Sequence, residues 1–392
     1  MVPKGWERKP IKELCESIID CVNKTATHVD HETPYKMIRT TNVRNGRVDV
    51  HNVRYVEEDT YKQWIRRGAP KDGDIIFTRE APVGEAGILE NAEGIFLGQR
   101  TMMYRSHPEK SDNRFLFYSL MSGYCQKQIE DLSNGGTVAH MRVPDCGELI
   151  INTPPLPEQC KIAKILSTWD KAIATTERLI ATSHQQKKAL MQQLLTGKKR
   201  LVNPETGMVF EGDWENTHLS NIASIKKGKA LSAKDLVAGS YPVIAGGKSS
   251  PYSHVDFTNE NVITVSASGA YAGYVSYHPY KIWASDCSVV TAKPANYLGF
   301  IFQWLQLNQI RIYSMQSGGA QPHIYPKDLE VMKLRVPKIE EQQKIASVLT
   351  VADKEIELLQ AKLAHLKEEK KALMQQLLTG KRRVKVDTTE AA

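Results

Sequence analysis

The chain is 392 residues long, 41% hydrophobic and 24% charged, with a formal net charge of +8 and a pI of about 9.0. This supports ordinary cores in two or three domains, and the basic balance is compatible with nucleic acid without proving it. Six cysteines show no CxxC and no regular framework and are expected to be reduced thiols in a cytoplasmic protein. The stretch MVPKGWERKPIKEL has no apolar core of a signal peptide, and no apolar run approaches the ~18 residues of a membrane span.

Residues 1–155 are expected to form a first globular unit. Trp6 to Ile19 has a mixed strand and helix pattern, and Tyr35 to Arg39 reads as a strand. Thr40 to Asp49 reads as strand, turn and strand, with the turn at Asn45-Gly46, the strongest short hairpin signal. Asp74 to Thr78 predicts a buried strand followed by the loop Arg79 to Gly84. Ile95 to Leu97 and Thr101 to Tyr104 continue the β pattern. Phe115 to Ile129 predicts one helix, Asn134 to Thr137 a loop, and Leu149 to Ile151 a last strand.

A long helix follows. Ile162, Leu166, Trp169, Ile173, Thr176, Ile180, Ser183, Lys187, Leu190 and Leu194 step by alternating intervals of 4 and 3, the spacing of a coiled-coil seam. The run Pro154-Pro155-Leu156-Pro157 sets its start and Gly197 its stop. Some 38 residues at about 1.5 Å each give a rod of roughly 57 Å.

Residues 200–337 repeat the plan with diverged residues. Trp214 answers Trp6. Val262 to Val265, with the loop Ser266 to Gly273, answers the Ile75 strand. Leu298 to Ile312 answers the Phe115 helix, and Ser317 to Ala320 answers Asn134 to Thr137. A second seam runs through Ile345, Leu349, Ala352, Ile356, Leu359, Leu363, Leu366, Lys370, Leu373 and Leu377. The stretch KKALMQQLLTGK occurs at Lys187–Lys198 and again at Lys370–Lys381, 183 positions on. At the same offset Glu158-Gln159 matches Glu341-Gln342, Asp170-Lys171 matches Asp353-Lys354, and His140 matches His323. Two copies at a domain-sized period are a tandem duplication and not a solenoid. The shared register invites the two helices to pair with each other, the alternative being that each packs on its own domain. Helices that stayed alike beside globules that diverged fit one common partner and two different targets.

This arrangement resembles the specificity (S) subunit of Type I restriction–modification systems over essentially the whole chain. The carriers are the run from Pro154 through Glu158-Gln159 and Ile162-Ala163, its second copy from Pro337, and the two Leu-Met-Gln-Gln-Leu-Leu-Thr-Gly ends. The resemblance implies an α+β fold with two mixed β-rich/α target-recognition domains, separated by two long antiparallel coiled-coil helices in a pseudo-two-fold tandem repeat. The corresponding divisions are 1–155, 156–199, 200–337 and 338–383, with a disordered tail at 384–392. It implies that each globule reads half of a bipartite site in double-stranded DNA. It also implies two modification subunits that carry S-adenosylmethionine and methylate adenine, and restriction subunits that cut DNA. No cofactor or metal is expected on this chain. The second helix start departs from the first, with Glu340 where the first has Pro157, so a less sharply fixed start is expected there.

Candidate DNA-contacting residues in the first globule are Arg39, Thr41, Asn42 and Arg44 at the hairpin, Arg79 and Glu80 after the buried strand, and Thr137, His140 and Arg142 after the Gly-Gly loop. In the second they are Lys248, Ser249, Ser250, Ser266, Ser268, Tyr271, Gln321, His323 and Tyr325. Arg forks to guanine, Asn to adenine, and Glu accepts from cytosine, each discriminating by ~1–3 kcal/mol. For His140 and His323, which match in globules of different expected specificity, a structural or phosphate role stands beside base reading. Lys198-Lys199-Arg200 and Lys381-Arg382-Arg383 could contact phosphate, although helix C-terminal cations alone explain them.

Catalytic motifs are not found. A P-loop ending at Gly247-Lys248-Ser249 would need Gly where Pro242 stands. Asn152-Thr153-Pro154-Pro155-Leu156 lacks the aromatic of a methyltransferase motif. His28 and His31 lack further ligands at metal spacing, and Asp145 and Glu148 lack the nuclease lysine. A cryptic DNA-modifying site in one globule remains the alternative reading, and a structural coiled-coil protein a third.

Overall fold

The computed structural model describes residues 2–133, 139–247, 250–319 and 321–386. The chain forms two compact units, Met1–Thr176 with Lys362–Ala392, and Glu177–Ala361. Two long helices, Leu156–Leu194 and Ile339–Leu377, contribute segments to both. Every position of the two predicted seams is buried or half-buried. The second helix begins 183 residues after the first, so the missing proline does not move its start. Gln342 does that work. Its amide donates to the Pro337 carbonyl at 2.9 Å and its Oε1 accepts from the Tyr297 N–H at 2.9 Å. Gln159 makes the same two bonds, to Pro154 at 3.0 Å and from Asp112 at 3.1 Å. Both helices stop at a glycine in the left-handed region, Gly197 and Gly380, each at φ 71°. A side chain there would be strained, which is why Thr-Gly recurs at both ends.

In the first unit a six-stranded sheet runs in the order Cys15–Asp20, Thr101–Ser106, Ile75–Arg79, Val83–Ile88, Arg47–Val48, Val43–Arg44. Ile75, Ile76 and Phe77 are fully buried, as the apolar run predicts. The hairpin closes at Asn45-Gly46, both with positive φ (53° and 77°), the signature of a type I′ turn. A second sheet pairs Lys36–Ile38 antiparallel with Arg54–Tyr55 and parallel with Ile95–Leu97. The ambiguous opening resolves into strand Glu7–Pro10, a helical turn Ile11–Leu14, and strand Cys15–Asp20. The single helix predicted from Phe115 is two, Asn113–Leu120 and Gly123–Leu132, because Ser122 accepts from the Cys125 N–H and starts a new helix.

The long-helix segments of this unit run antiparallel. Lys370 donates to Asp170 at 2.6 Å and Arg383 forks onto Glu158 at 2.7 Å through both Nε and Nη2. Trp6 adds an indole N–H to the same carboxylate at 3.1 Å. Tyr118 donates to Asp170 at 2.5 Å, and burial together with this bond raises its pKa. Ile162, Leu166, Leu377 and Leu378 join the core of Trp6, Phe115 and Tyr104. Of the expected tail, Val384 packs against this core. Residues 387–392 lie outside the described residues.

The second unit has a four-stranded sheet, Ala223–Lys227, Cys287–Ala292, Val262–Ser266, Val275–His278, and a three-stranded one, Ser253–His254, Tyr241–Ile244, Trp283–Ala284. The helix predicted from Leu298 again divides, into Leu298–Leu307 and Gln309–Ser314. The helix contacts recur at the repeat offset. Lys187 donates to Asp353 at 2.5 Å, Arg200 forks onto Glu341 at 2.6 and 2.7 Å, and the Trp214 indole reaches Glu341 at 3.3 Å. The phosphate role considered for the basic helix ends is thereby corrected for Arg200 and Arg383, whose guanidiniums are committed to internal glutamates. The repeated lysines and glutamates have an internal reason to stay alike, independent of any common partner.

Cys15, Cys125, Cys146 and Cys287 are buried, and burial pushes each thiol up to about 12, so none is a ready nucleophile. His278 is buried too, with Nε2 2.9 Å from the Thr264 hydroxyl. Burial depresses its pKa from 6.5 to about 4. The folded state keeps the ring neutral while the unfolded chain takes up a proton below pH 6.5. Stability is therefore complete above that pH and is lost as pH falls towards 4. At about 1.4 kcal/mol per pKa unit the loss approaches ~3 kcal/mol. Denaturant unfolding at pH 7.5 and 4.5 measures it, and His278→Gln is expected to remove most of this pH dependence while other titrating groups continue theirs.

Candidate nucleic-acid interface

In both units the same two loops meet. The residue following the buried strand of the first unit, Glu80, forms an antiparallel backbone bridge with His140. In the second unit Ser268, beyond the strand Val262–Ser266, bridges His323. His323 also exchanges backbone bonds with Ser317, at 2.9 and 2.8 Å. The two matching histidines thus hold the loop that follows the Gly-Gly segment against the loop that follows the core strand. This is a structural role for their backbones, and their side chains remain on the surface side, His140 exposed and His323 half-buried.

Among the candidates of the first unit, Thr41, Arg44 and Arg142 are exposed. The Arg142 guanidinium forks onto Asp145 at 2.7 and 3.1 Å, which raises its pKa. Glu80 pairs with Arg100 at 3.2 Å. Arg39 is half-buried. Two candidates are corrected. Asn42 is 3% exposed, its Oδ1 accepts from the Arg39 N–H and its Nδ2 donates to the Asn52 carbonyl, so its amide edge pins the hairpin and cannot read adenine. Arg79 braces the sheet, pairing with Asp20 at 3.0 Å and donating to the Met141 carbonyl at 3.2 Å. Thr137 lies outside the described residues.

In the second unit the junction carries Gln321, Tyr271 and Tyr325, the two tyrosines 44% and 47% exposed. The His323 and Tyr325 rings lie nearly parallel, 6.1 Å apart, and Lys327 Nζ stands 5.6 Å from the Tyr325 ring centre. Two serines are corrected. Ser266 is 4% exposed within the core strand. Ser250 is held by the backbone carbonyls of Val243 and Tyr252, at 2.6 and 2.8 Å. The Ser268 hydroxyl donates to the Asp286 carboxylate. Lys248 and Ser249 lie outside the described residues.

Sequence reasoning missed a basic cleft of about 290 Å³ in the first unit, where Arg39 and Thr41 are joined by Thr25, Arg54, Gln99 and Arg100. These residues are far apart in the chain. The register Met37↔Arg54 and Ile38↔Leu97 brings them together, and no spacing rule on one segment reports it. Among the described residues no three His, Cys, Asp or Glu side chains are grouped to hold a metal ion, and no helix is long and apolar enough to cross a membrane.

Each of the two β-rich units presents polar loops at one junction and packs on segments of the same two long helices. The chain belongs to the Type I restriction modification DNA specificity domain family, whose profile matches residues 3–182 and 211–368. A putative Type I restriction enzyme MjaX specificity subunit from Methanocaldococcus jannaschii is 28% identical over 98% of this chain and 95% of its own length. The MjaVIII specificity subunit of the same organism is 27% identical over 82% and 85%. Among solved structures, a Type I S subunit from M. genitalium is similar with a TM-score of 0.66 at 20% identity, covering 96% of each chain. A chain from a structure of complex assembly and conformational transition in the Type I system is similar at 0.58 and 17%, covering 97% of this chain and all of that one. At these identities the structural likeness speaks for the fold.

Proposed function

We propose that this chain is the non-catalytic DNA-specificity subunit of a Type I restriction–modification complex. The globular part at 1–155 reads one half of a bipartite double-stranded site and that at 200–337 the other. The helical stretches 156–199 and 338–383 set the spacing as an antiparallel pair and dock two modification subunits, which supply S-adenosylmethionine and methylate adenine. Restriction subunits join the same assembly in the cytoplasm. One observation carries this reading. The frame contacts are the same in both units (Glu158 and Glu341 with arginine and tryptophan, Asp170 and Asp353 with lysine), whereas the loops meeting at His140 and His323 carry different side chains. A constant frame with variable loops suits two readers of different sequence, with phosphate contacts setting register and base contacts setting specificity. A genome-wide map of methylated adenines, made with and without the gene, tests it. The expected result is loss of one motif of two short specified blocks around an unspecified gap. An unchanged map in cells whose modification subunits are expressed and active would overturn the reading.

A further inference from the structure

We propose that the cleft lined by Arg39, Arg54 and Arg100 in the first unit is an anion site that takes one phosphodiester of bound DNA, an inference that rests on the DNA-reading function above. Three guanidiniums line about 290 Å³. This lies just below the ~300–1,000 Å³ of ordinary small-molecule pockets and suits a phosphodiester better than a whole cofactor.

The charges there are not balanced from within. Arg100 is paired with Glu80, but among the described residues no carboxylate pairs with Arg39 or Arg54. Arg39 Nε is buried and lacks a hydrogen-bond partner. Burial first, and the Arg54 charge second, hold its pKa below the usual arginine range. Two facing guanidiniums repel each other, and an unpaired buried donor is destabilising. One anion between them removes both penalties, and the planar fork of arginine matches phosphate oxygens.

Neutral donors complete the site. The Thr25 hydroxyl donates to Gln99 Oε1 at 3.1 Å, which assigns the other end of this amide as a donor, and Thr41 lies exposed on the lining. The cleft is linked to the loop junction through Arg100, which pairs with Glu80, itself bridged to His140. A strand of DNA lying on that junction would run its backbone over the cleft.

The test measures DNA affinity of the complex assembled with its modification subunits over a salt series, for wild type, Arg54→Gln and Arg39→Gln. Arg54 is exposed and unpaired, so its variant is expected to fold normally. The expected result for Arg54→Gln is a slope of log affinity against log salt smaller by about 1, equally on cognate and scrambled DNA. At 0.15 M salt this amounts to roughly fivefold weaker binding, from a slope of ~0.9 per phosphate taken from 1 M. An unchanged slope in a complex that still binds cognate DNA overturns the site and leaves the DNA reading intact. Absence of salt-dependent DNA binding by the wild-type complex overturns both. Calorimetric titration of the chain with inorganic phosphate separates the sources. Phosphate binding that is lost in Arg54→Gln, with the DNA slope unchanged, would assign the cleft to a free anion and overturn the DNA assignment.

Discussion

Glu341→Ala is expected to lower the unfolding temperature of the second unit by on the order of 10 °C. The Glu341 carboxylate is 1% exposed and accepts both donors of the Arg200 fork and the Trp214 indole N–H. Arg200 itself is only 23% exposed. Truncation leaves a largely buried cation and a buried indole donor unpaired, a loss of ~3–5 kcal/mol when one partner of a buried pair is removed. For a unit of this size each kcal/mol moves the midpoint by about 2–4 °C. Differential scanning calorimetry reads the shift, and a change below ~2 °C would refute the argument. Removing both charges at once, in Glu341→Met with Arg200→Met, is expected to recover most of the loss, since the cost lies in the orphaned partner. The matching change in the first unit, Glu158→Ala, is expected to be milder, because Arg383 is 43% exposed and water can solvate the freed guanidinium.

The second large effect concerns recognition. His323→Ala with Tyr325→Ala is expected to weaken cognate DNA binding by the assembled complex by ~100-fold or more, at ~1–3 kcal/mol for each lost base contact. Both side chains stand at the junction of the two loops, with Lys327 beside the Tyr325 ring. The loss should fall on one block of the recognised site. In the methylation map the double variant would relax or abolish specificity at that block and leave the other block intact. Equal weakening on cognate and scrambled DNA would assign these residues to phosphate contact instead. The His323 backbone bridge does not depend on its ring, so the change tests the surface and spares the frame.

The hairpin at Asn45-Gly46, the buried strands at Ile75 and Val262, and both long helices were legible because each is a local pattern: turn chemistry, an apolar run, a 3-4 spacing. The candidate site was legible only in outline. The loops after the core strands and before His140 and His323 are legible as segments, and the structure places them side by side. Individual side chains were not legible there. Asn42, Arg79, Ser250 and Ser266 have the chemistry of base readers, yet each is held by partners or burial that no linear pattern reports. The two helices expected after Phe115 and Leu298 also each divided, the first at Ser122, whose side chain caps the following helix in preference to continuing the one before it.

By itself the sequence determined the duplication, the two seams with their glycine stops, and the membership of the chain in its family, since these depend on spacing within continuous segments. Only the tertiary structure decided what the conserved offset is for. Glu158 with Arg383, Glu341 with Arg200, Asp170 with Lys370 and Asp353 with Lys187 are partners 141 to 225 residues apart. The same is true of the cleft, where Arg39, Arg54 and Arg100 converge through strand pairing. A charge is equally soluble on a surface and equally useful in a fork, so its residue type is silent about which it serves. The choice is made by desolvation and by the partner that folding delivers, and both exist only once distant segments have met.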